Sequence, residues 1–353
     1  MKGDEFFMRR ALALARRGGP RVSPNPMVGC VLTRSGRIVA EGWHARYGGP
    51  HAEAAALAKA GARARGCTAY VNLEPCCHTD KQTPPCVKAL IAAGVRRVVA
   101  GTRDPNPKVS GKGLRELKKA GIRVADGVLE KECVELNRPF AVRMTEGRPY
   151  VILKAAASLD GRIEAPDGRS KWITSPQARR ASHLMRAQAD AVLVGVGTVL
   201  KDDPLLTSHG KGRDPVRVVL DSRLRIPRTA KILRGSAPTW VATSRRGFGR
   251  PRSLRAPVVS ALRVPRNGSG LNLRALGREL LRMGVGTLLV EGGSRVHTAF
   301  LEKGLVDEVR LFLAPKLLGG RNSRSFFEGS GVKTLSRALA LSDASVPASA
   351  PIS

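Results

Sequence analysis

Three groups that bind soft metal ions stand where secondary-structure elements begin or end, and few folds can gather them. His51 opens the apolar helical pattern HAEAAALAKAGA, stopped at Gly61, directly after Gly48-Gly49-Pro50. Cys76 follows Pro75 as the chain leaves the strand pattern CTAYVNL (67–73). Cys86 follows Pro84-Pro85 at the head of the helix pattern PCVKALIAAG (85–94). Such positions face one edge in an α/β layer, the carboxyl edge where α/β sites usually lie. One imidazole and two thiolates gathered there make a three-ligand zinc site with a fourth position open to water, which zinc acidifies. Glu53, two residues beyond His51, reaches the same edge from the first helical turn. A carboxylate there that is not a ligand moves protons from that water to a leaving group.

The remaining pattern extends this layer. VGCVLT (28–33) and RIVAEGW (37–43) read as a hairpin around Ser35-Gly36. RRVVAG (96–101) reads as a strand, GLRELKKAG (113–121) as a helix and IRVADG as a further short strand. The pattern pauses around Asn137-Arg138-Pro139, and YVILKAAASLDG (150–161) begins a second alternation. Its further strands are DAVLVGV (190–196), VRVVLDS (216–222), TWVAT (239–243), GTLLVEGG (286–293) and DEVRLFLAP (307–315). This organisation predicts one domain over residues 1–145, a second over 146–330 and an Ala/Ser/Pro-rich tail over 331–353. Near the N-terminus, Phe7, Ala11, Leu14 and Ala15 share one helical face, with Asp4 as the expected cap.

Composition bounds the possibilities. No apolar run approaches the roughly 20 residues of a membrane span. Asp4 and Glu5 interrupt what a signal peptide would need, so the expected compartment is the cytoplasm. Thiols stay reduced there, and clustered cysteines then favour metal binding or catalysis over disulfides. Cys30, Cys67 and Cys133 lie in or beside apolar runs and read as structural. The 61 Lys and Arg against 28 Asp and Glu give +33, which attracts polyanions. The basic residues are spread along the chain, however, and aromatics at 4% leave little for stacking on bases, so no specific nucleic-acid partner is expected. The His-x-Glu and Pro-Cys elements fit zinc deaminases of nucleobases. The second cysteine does not, because nine residues separate Cys76 from Cys86 where nucleic-acid and free-nucleoside deaminases usually have two.

With that spacing, HAE, LEPC, a histidine-containing loop and TPPC resemble the bifunctional deaminase–reductases of riboflavin biosynthesis. NPMVGCV (25–31), Gly42-Trp43-His44, DPNP (104–107), SLDG (158–161) and KWITS (171–175) carry the resemblance further. LMRA (184–187), DDP (202–204), EGG (291–293) and APK (314–316) extend it, in order, to about residue 328. The resemblance implies an N-terminal cytidine-deaminase-like three-layer α/β/α domain and a C-terminal dihydrofolate-reductase-like α/β domain. It implies one zinc ion on His51, Cys76 and Cys86, with Glu53 as proton shuttle. The reactions implied are hydrolytic deamination of a phosphoribosylamino diaminopyrimidine and reduction of the product's ribosyl group to ribityl by NADPH. The cofactor would be held by Ala156, Trp172, Thr198, Asp202 and Ser222, and by a turn comprising Gly293, Ser294, Arg295, Val296, His297, Thr298 and Ala299. Substrate contacts would come from Ser170, Arg186, Leu206 and Glu291. The partner is a phosphorylated small molecule, not nucleic acid or membrane, and the chain is expected to form homo-oligomers.

The chain departs from that pattern in three places. The cysteine loop is one residue longer, so Cys77 with Cys86 would restore the usual spacing and rivals Cys76. Cys76 is preferred because it keeps Glu-Pro-Cys together, which places the extra residue in the polar loop 79–82. After Leu206-Thr207 the expected arginine is missing, leaving His209 or Lys211 to meet phosphate. The final strands are missing or replaced, which raises the alternative of an active deaminase with an impaired reductase. His44 and His78 read either as substrate-side groups or as surface histidines. Gly195-x-Gly197 lacks the third glycine of a dinucleotide fingerprint, since Leu200 stands there. Two other classes compete: a deaminase acting on nucleic acid, and an inactive relative with structural zinc.

Overall fold

Two sheets, each covered by helices on both faces, organise the computed structural model, which describes residues 3–78, 84–168, 172–245, 259–268, 270–329, 331 and 333–346. The first half runs α1 (Asp4–Arg16), β1 (Gly29–Arg34), β2 (Arg37–Trp43), α2 (Ala52–Ala60), β3 (Thr68–Val71) and α3 (Cys86–Ala92). It continues with β4 (Arg97–Ala100), α4 (Lys112–Lys119), β5 (Arg123–Ala125), α5 (Glu130–Leu136) and α6 (Arg138–Glu146). Its five-stranded sheet has the order β2-β1-β3-β4-β5. The β1–β2 hairpin turns at Ser35-Gly36, β1 pairs antiparallel with β3, and β3, β4 and β5 are parallel. The apolar stripe of α1 (Phe7, Met8, Leu12) packs with Cys133 of α5 against Val31, Tyr70 and Val99 on one face. Ala52 and Ala56 of α2, Leu90 of α3 and Leu117 of α4 cover the other. This is the expected three-layer arrangement.

Asp4 does not cap α1. Gly3 stands at the cap, and the Asp4 carboxylate instead receives Arg97 of β4 at 2.7 and 2.8 Å and the Tyr70 hydroxyl at 2.9 Å. A bidentate guanidinium is a stronger partner than one backbone N–H, so the side chain pins the helix to the sheet. The residues read as a pause around Asn137 are helical: α5 ends and α6 begins there. Asn137 exchanges two hydrogen bonds with the Met27 backbone, at 2.8 and 3.0 Å.

The second half runs β6 (Tyr150–Ser158), α7 (Pro176–Gln188), β7 (Ala191–Gly195), α8 (Val196–Asp202), β8 (Val216–Leu220) and β9 (Thr239–Thr243). Then come β10 (Val259–Arg263), a two-residue ribbon of β11 (Arg266–Asn267) with β12 (Gly270–Leu271), and α9 (Leu273–Arg282). β13 (Thr287–Gly292), α10 (Ser294–Glu302) and β14 (Glu308–Ala314) complete it. The seven-stranded sheet has the order β10-β9-β8-β7-β13-β6-β14, and every pairing is parallel. Such strands are buried on both faces, which is why they read as near-continuous apolar runs. Leu276 and Leu280 of α9 and Phe300 of α10 cover one face; Met185 of α7 and Val199 of α8 cover the other. β10 and the ribbon escape the sequence pattern because they are short, and β10 alternates too weakly at the sheet edge. Among the described residues no strand follows Ala314, and Leu335 and Val346 in the tail are 90% and 95% exposed.

Candidate active sites

The first site lies at the carboxyl end of β3. His51 is the extended residue before α2, Cys76 leaves β3 through Pro75, and Cys86 is the first residue of α3. A close approach sets the position of α2: a Cβ on Gly42 of β2 would lie 2.3 Å from the Ala52 carbonyl oxygen. Glycine there lets the helix settle on the strand and carries His51 to the sheet edge. His51 Nδ1 lies 3.5 Å from Cys76 Sγ and 3.3 Å from Cys86 Sγ, and the three donor atoms fall within 4.8 Å of one another. Zinc–nitrogen and zinc–sulfur bonds at a tetrahedral angle would separate N and S by about 3.6 Å. The trio therefore fits zinc in both chemistry and spacing. It is the one group of this kind among the described residues. Cys77, the rival, is half-buried and packs beside Cys76, Cys86 and Val109. The loop meant to absorb the extra residue, 79–82, lies outside the described residues.

Glu53 sits in the first turn of α2, 3% exposed. Burial, with the Cys76 charge adding, pushes its carboxyl above the usual range, while His51 and a hydrogen bond from Cys86 oppose this. A carboxyl that can hold a proton beside a metal site is suited to proton transfer.

Glu74 explains how the neighbouring loop is held. Its buried carboxylate accepts the backbone N–H groups of Gly111 at 2.7 Å and of Asp104 and Leu114 at 3.2 Å. Asp104 in turn accepts from the Asn106 N–H at 2.8 Å, which folds the Asp-Pro-Asn-Pro motif back on itself beside Glu74. Glu74→Ala leaves three buried donors without a partner and is expected to cost about 3–5 kcal/mol of stability. Urea unfolding of the zinc-loaded variant checks this.

His44 is not a surface group. It is 3% exposed, with Nε2 3.2 Å from Asn25 Nδ2 and Nδ1 2.9 Å from the Pro50 carbonyl oxygen. Its ring meets that of His51 edge-on at 5.5 Å, and burial lowers its pKa. His78, at the end of the described segment, is half-buried.

The second site gathers at the carboxyl edge of the seven-stranded sheet. Ala156 lies on β6, Thr198 and Asp202 on α8 after β7, Ser222 after β8, and Gly293 to Ala299 after β13. Gly293 N–H donates to Thr198 Oγ1 at 2.9 Å, joining two of these segments. Ser294 Oγ, in the first turn of α10, is buried with no hydrogen-bond partner among the described residues. A helix start with an unsatisfied hydroxyl at a parallel-sheet edge fits the phosphates of a nucleotide cofactor. Trp172 is 64% exposed with the Arg179 guanidinium 4.3 Å above its ring. Ser170 lies outside the described residues.

Arg186 of α7 and Glu291 of β13 form a bidentate pair at 2.6 and 2.9 Å, and Arg186 also donates to the Thr207 carbonyl at 3.1 Å. Leu206 is buried beside this loop, and the exposed His209 stacks on His183 at 4.1 Å. Lys154 of β6 stands 3.9 Å from Glu291. Sequence reasoning missed Lys154 and His183. A lone lysine inside the apolar run YVILKAAA was the available signal, since a buried lysine needs a partner; His183, one turn before Arg186, gave none. Burial lowers the pKa of Lys154 and takes His183 to about 4.

Burial alone would raise Glu291, but Arg186 and Lys154 overcome it and hold the carboxyl at about 2 instead of 4.5. A depressed folded-state pKa gives stability that is complete above pH 4.5 and lost as pH falls towards 2. The contribution is on the order of 3 kcal/mol. Glu291→Gln is expected to lower stability at neutral pH and to flatten the acid limb below pH 4.5, read by unfolding across pH.

Known proteins resemble both halves of the chain. The family model described as the RibD C-terminal domain matches residues 149–351, and that of the cytidine and deoxycytidylate deaminase zinc-binding region matches 1–102. The riboflavin biosynthesis protein RibD of Escherichia coli (strain K12) is 46% identical over 331 residues, covering 90% of this chain and 89% of the relative. That of Aquifex aeolicus is 44% identical, covering 90% and 88%. The crystal structure of a diaminohydroxyphosphoribosylaminopyrimidine deaminase/5-amino-6-(5-phosphoribosylamino)uracil reductase from Thermotoga maritima superimposes with a TM-score of 0.83 at 40% identity. It covers 95% of this chain and 93% of its own. On the strength of both halves, matched in order and almost end to end, the chain belongs to the RibD family of riboflavin biosynthesis proteins.

Proposed function

We propose that this chain is a bifunctional enzyme of riboflavin biosynthesis. Its first half hydrolyses the 2-amino group of 2,5-diamino-6-(5-phosphoribosylamino)pyrimidin-4(3H)-one, releasing ammonia. Its second half reduces the ribosyl group of 5-amino-6-(5-phosphoribosylamino)uracil to ribityl. The observation that carries the reading is the convergence of His51, Cys76 and Cys86 beside buried Glu53, in a chain that matches deaminase–reductases over nearly its whole length.

Zinc bound by His51, Cys76 and Cys86 supplies the Lewis acidity that makes water nucleophilic near neutral pH. Glu53 is placed to take a proton from the attacking water and to pass it to the departing nitrogen, for which its raised pKa suits it. In the second half NADPH supplies the hydride, and the protein's part is placement. The turn from Gly293 to Ala299, with Ala156, Trp172, Thr198, Asp202 and Ser222, holds the cofactor against the sheet edge. Arg186, Glu291, Leu206, Ser170 and His209 face the substrate, whose phosphate His209 meets in place of an arginine. The division at residues 145/146 separates the two activities. Because the family model for the second half runs through residue 351, the tail lies within the matched region, and an impaired reductase is the less favoured reading.

The chain acts as a cytoplasmic homo-oligomer on a free phosphorylated pyrimidine. The six cysteines form no disulfide, as thiols in a reducing compartment would not. The test is a paired assay on one preparation. Ammonia release from the diaminopyrimidine and NADPH oxidation with the deaminated product are both expected. Absence of ammonia release from zinc-loaded protein would sink the deaminase assignment.

A further inference from the structure

One polar joint ties the seven-stranded sheet to the segment that leads into β1. The Ser23 hydroxyl donates to Asp190 Oδ2 at 2.6 Å. Asp190 is buried at the amino end of β7, far along the strand from the cofactor edge. The same oxygen accepts the N–H groups of Gly286 and Thr287, each at 2.9 Å, while Oδ1 receives Arg213 at 2.9 Å. A Cβ on Gly286 would lie 2.9 Å from Ser23 Oγ and 3.2 Å from Asp190 Oδ2, so any side chain there would push the two oxygens of the joint out of place.

From Ser23 the connection runs towards the first site. The Pro24 carbonyl accepts from Arg143 at 2.7 Å, fixing the backbone between Ser23 and Asn25. The Asn25 amide donates to His44 Nε2, which places the proton of a neutral His44 on Nδ1, where it donates to the Pro50 carbonyl. Pro50 immediately precedes His51. Ser23, Asn25 and His44 along this path are buried or half-buried, and it ends on the exposed Pro50, whose carbonyl adjoins a metal ligand in the chain.

We propose that Ser23 is a positioning residue for the deaminase: through Asn25, His44 and Pro50, the seven-stranded sheet holds His51 in its metal-binding orientation. A half of the chain that contributes no ligand thereby sets how firmly the other half retains its metal. The proposal rests on the assignment of zinc to His51, Cys76 and Cys86.

The test uses full-length Ser23→Ala, Gly286→Ala and Ser23→Thr, loaded with zinc. Partners in the shell directly around metal ligands alter affinity or activity by about 10–100-fold. Ser23 stands further out, so about 3–10-fold faster zinc release to a chelating dye is expected in Ser23→Ala and Gly286→Ala. Deaminase kcat falls by a similar factor, with reductase kcat/KM unchanged, and Ser23→Thr, which keeps the hydroxyl, restores wild-type release. Wild-type release rates in Ser23→Ala and Gly286→Ala would overturn the proposal alone. Parallel loss of reductase activity would also overturn it, because general destabilisation would then explain the zinc loss. A wild-type chain that takes up no zinc would instead sink the metal assignment beneath it.

Discussion

Glu53→Gln is expected to lower the deaminase kcat by about 10²–10⁴-fold, the usual contribution of a positioned acid–base group. The amide matches the carboxylate in size and fills the same buried place at the first turn of α2, so zinc content and fold should be retained. The reductase, built on a separate sheet, should keep its rate. Three measurements on one preparation separate the outcomes: zinc by absorption spectrometry, ammonia release, and NADPH oxidation. Retention of full deamination would remove Glu53 from the mechanism. Loss of zinc along with activity would make it part of the metal's support instead.

The second large effect separates two adjacent thiols. Cys76 Sγ reaches His51 Nδ1 at 3.5 Å, whereas Cys77 packs against an apolar cluster and burial pushes its pKa up. Cys76→Ser is expected to take zinc from about one per chain towards zero, because a serine hydroxyl is a poor replacement for thiolate. If the ligand's loss weakens affinity about 10³-fold, about 4 kcal/mol of zinc-linked stability disappears as well. Cys77→Ser should retain the metal and cost only what a half-buried contact contributes. The reverse pattern would move the ligand by one residue and the extra residue of the loop to the other side of it.

Much of this architecture can be read from residues alone, for local reasons. The metal-binding trio is legible because each member marks an element end that periodicity already places. The parallel strands are legible because burial on both faces leaves uninterrupted apolar runs such as DAVLVGV and TWVAT. What escapes is decided by partners distant in sequence. Asp4 looks like a cap until Arg97, on the fourth strand, claims its carboxylate. Asn137 looks like a pause until its amide closes on the Met27 backbone. Arg186 and Glu291 can each be singled out, yet nothing in the sequence says that they neutralise one another or that Lys154 joins them. His44 reads equally as a substrate-side group or a surface histidine because Asn25 and Pro50 become its partners only after the hairpin is folded.

The pairing of β6, the strand next to one edge of the seven-stranded sheet, also bears on the order in which the molecule can assemble. Its neighbours are β13 and β14, so Val151 lies beside Leu288 and Leu153 beside Val309. The hairpin of the first sheet needs only the few residues around Ser35-Gly36. Loop closure must precede the reward of a non-local contact, which makes such parallel sheets slow to form. During synthesis the first half therefore has its whole sheet available early, while β6 waits for β13 and β14, the last two strands, to emerge. Apolar β6 spends that interval unpaired, making the reductase half the stage at which a nascent chain is most exposed to aggregation or to capture by a chaperone.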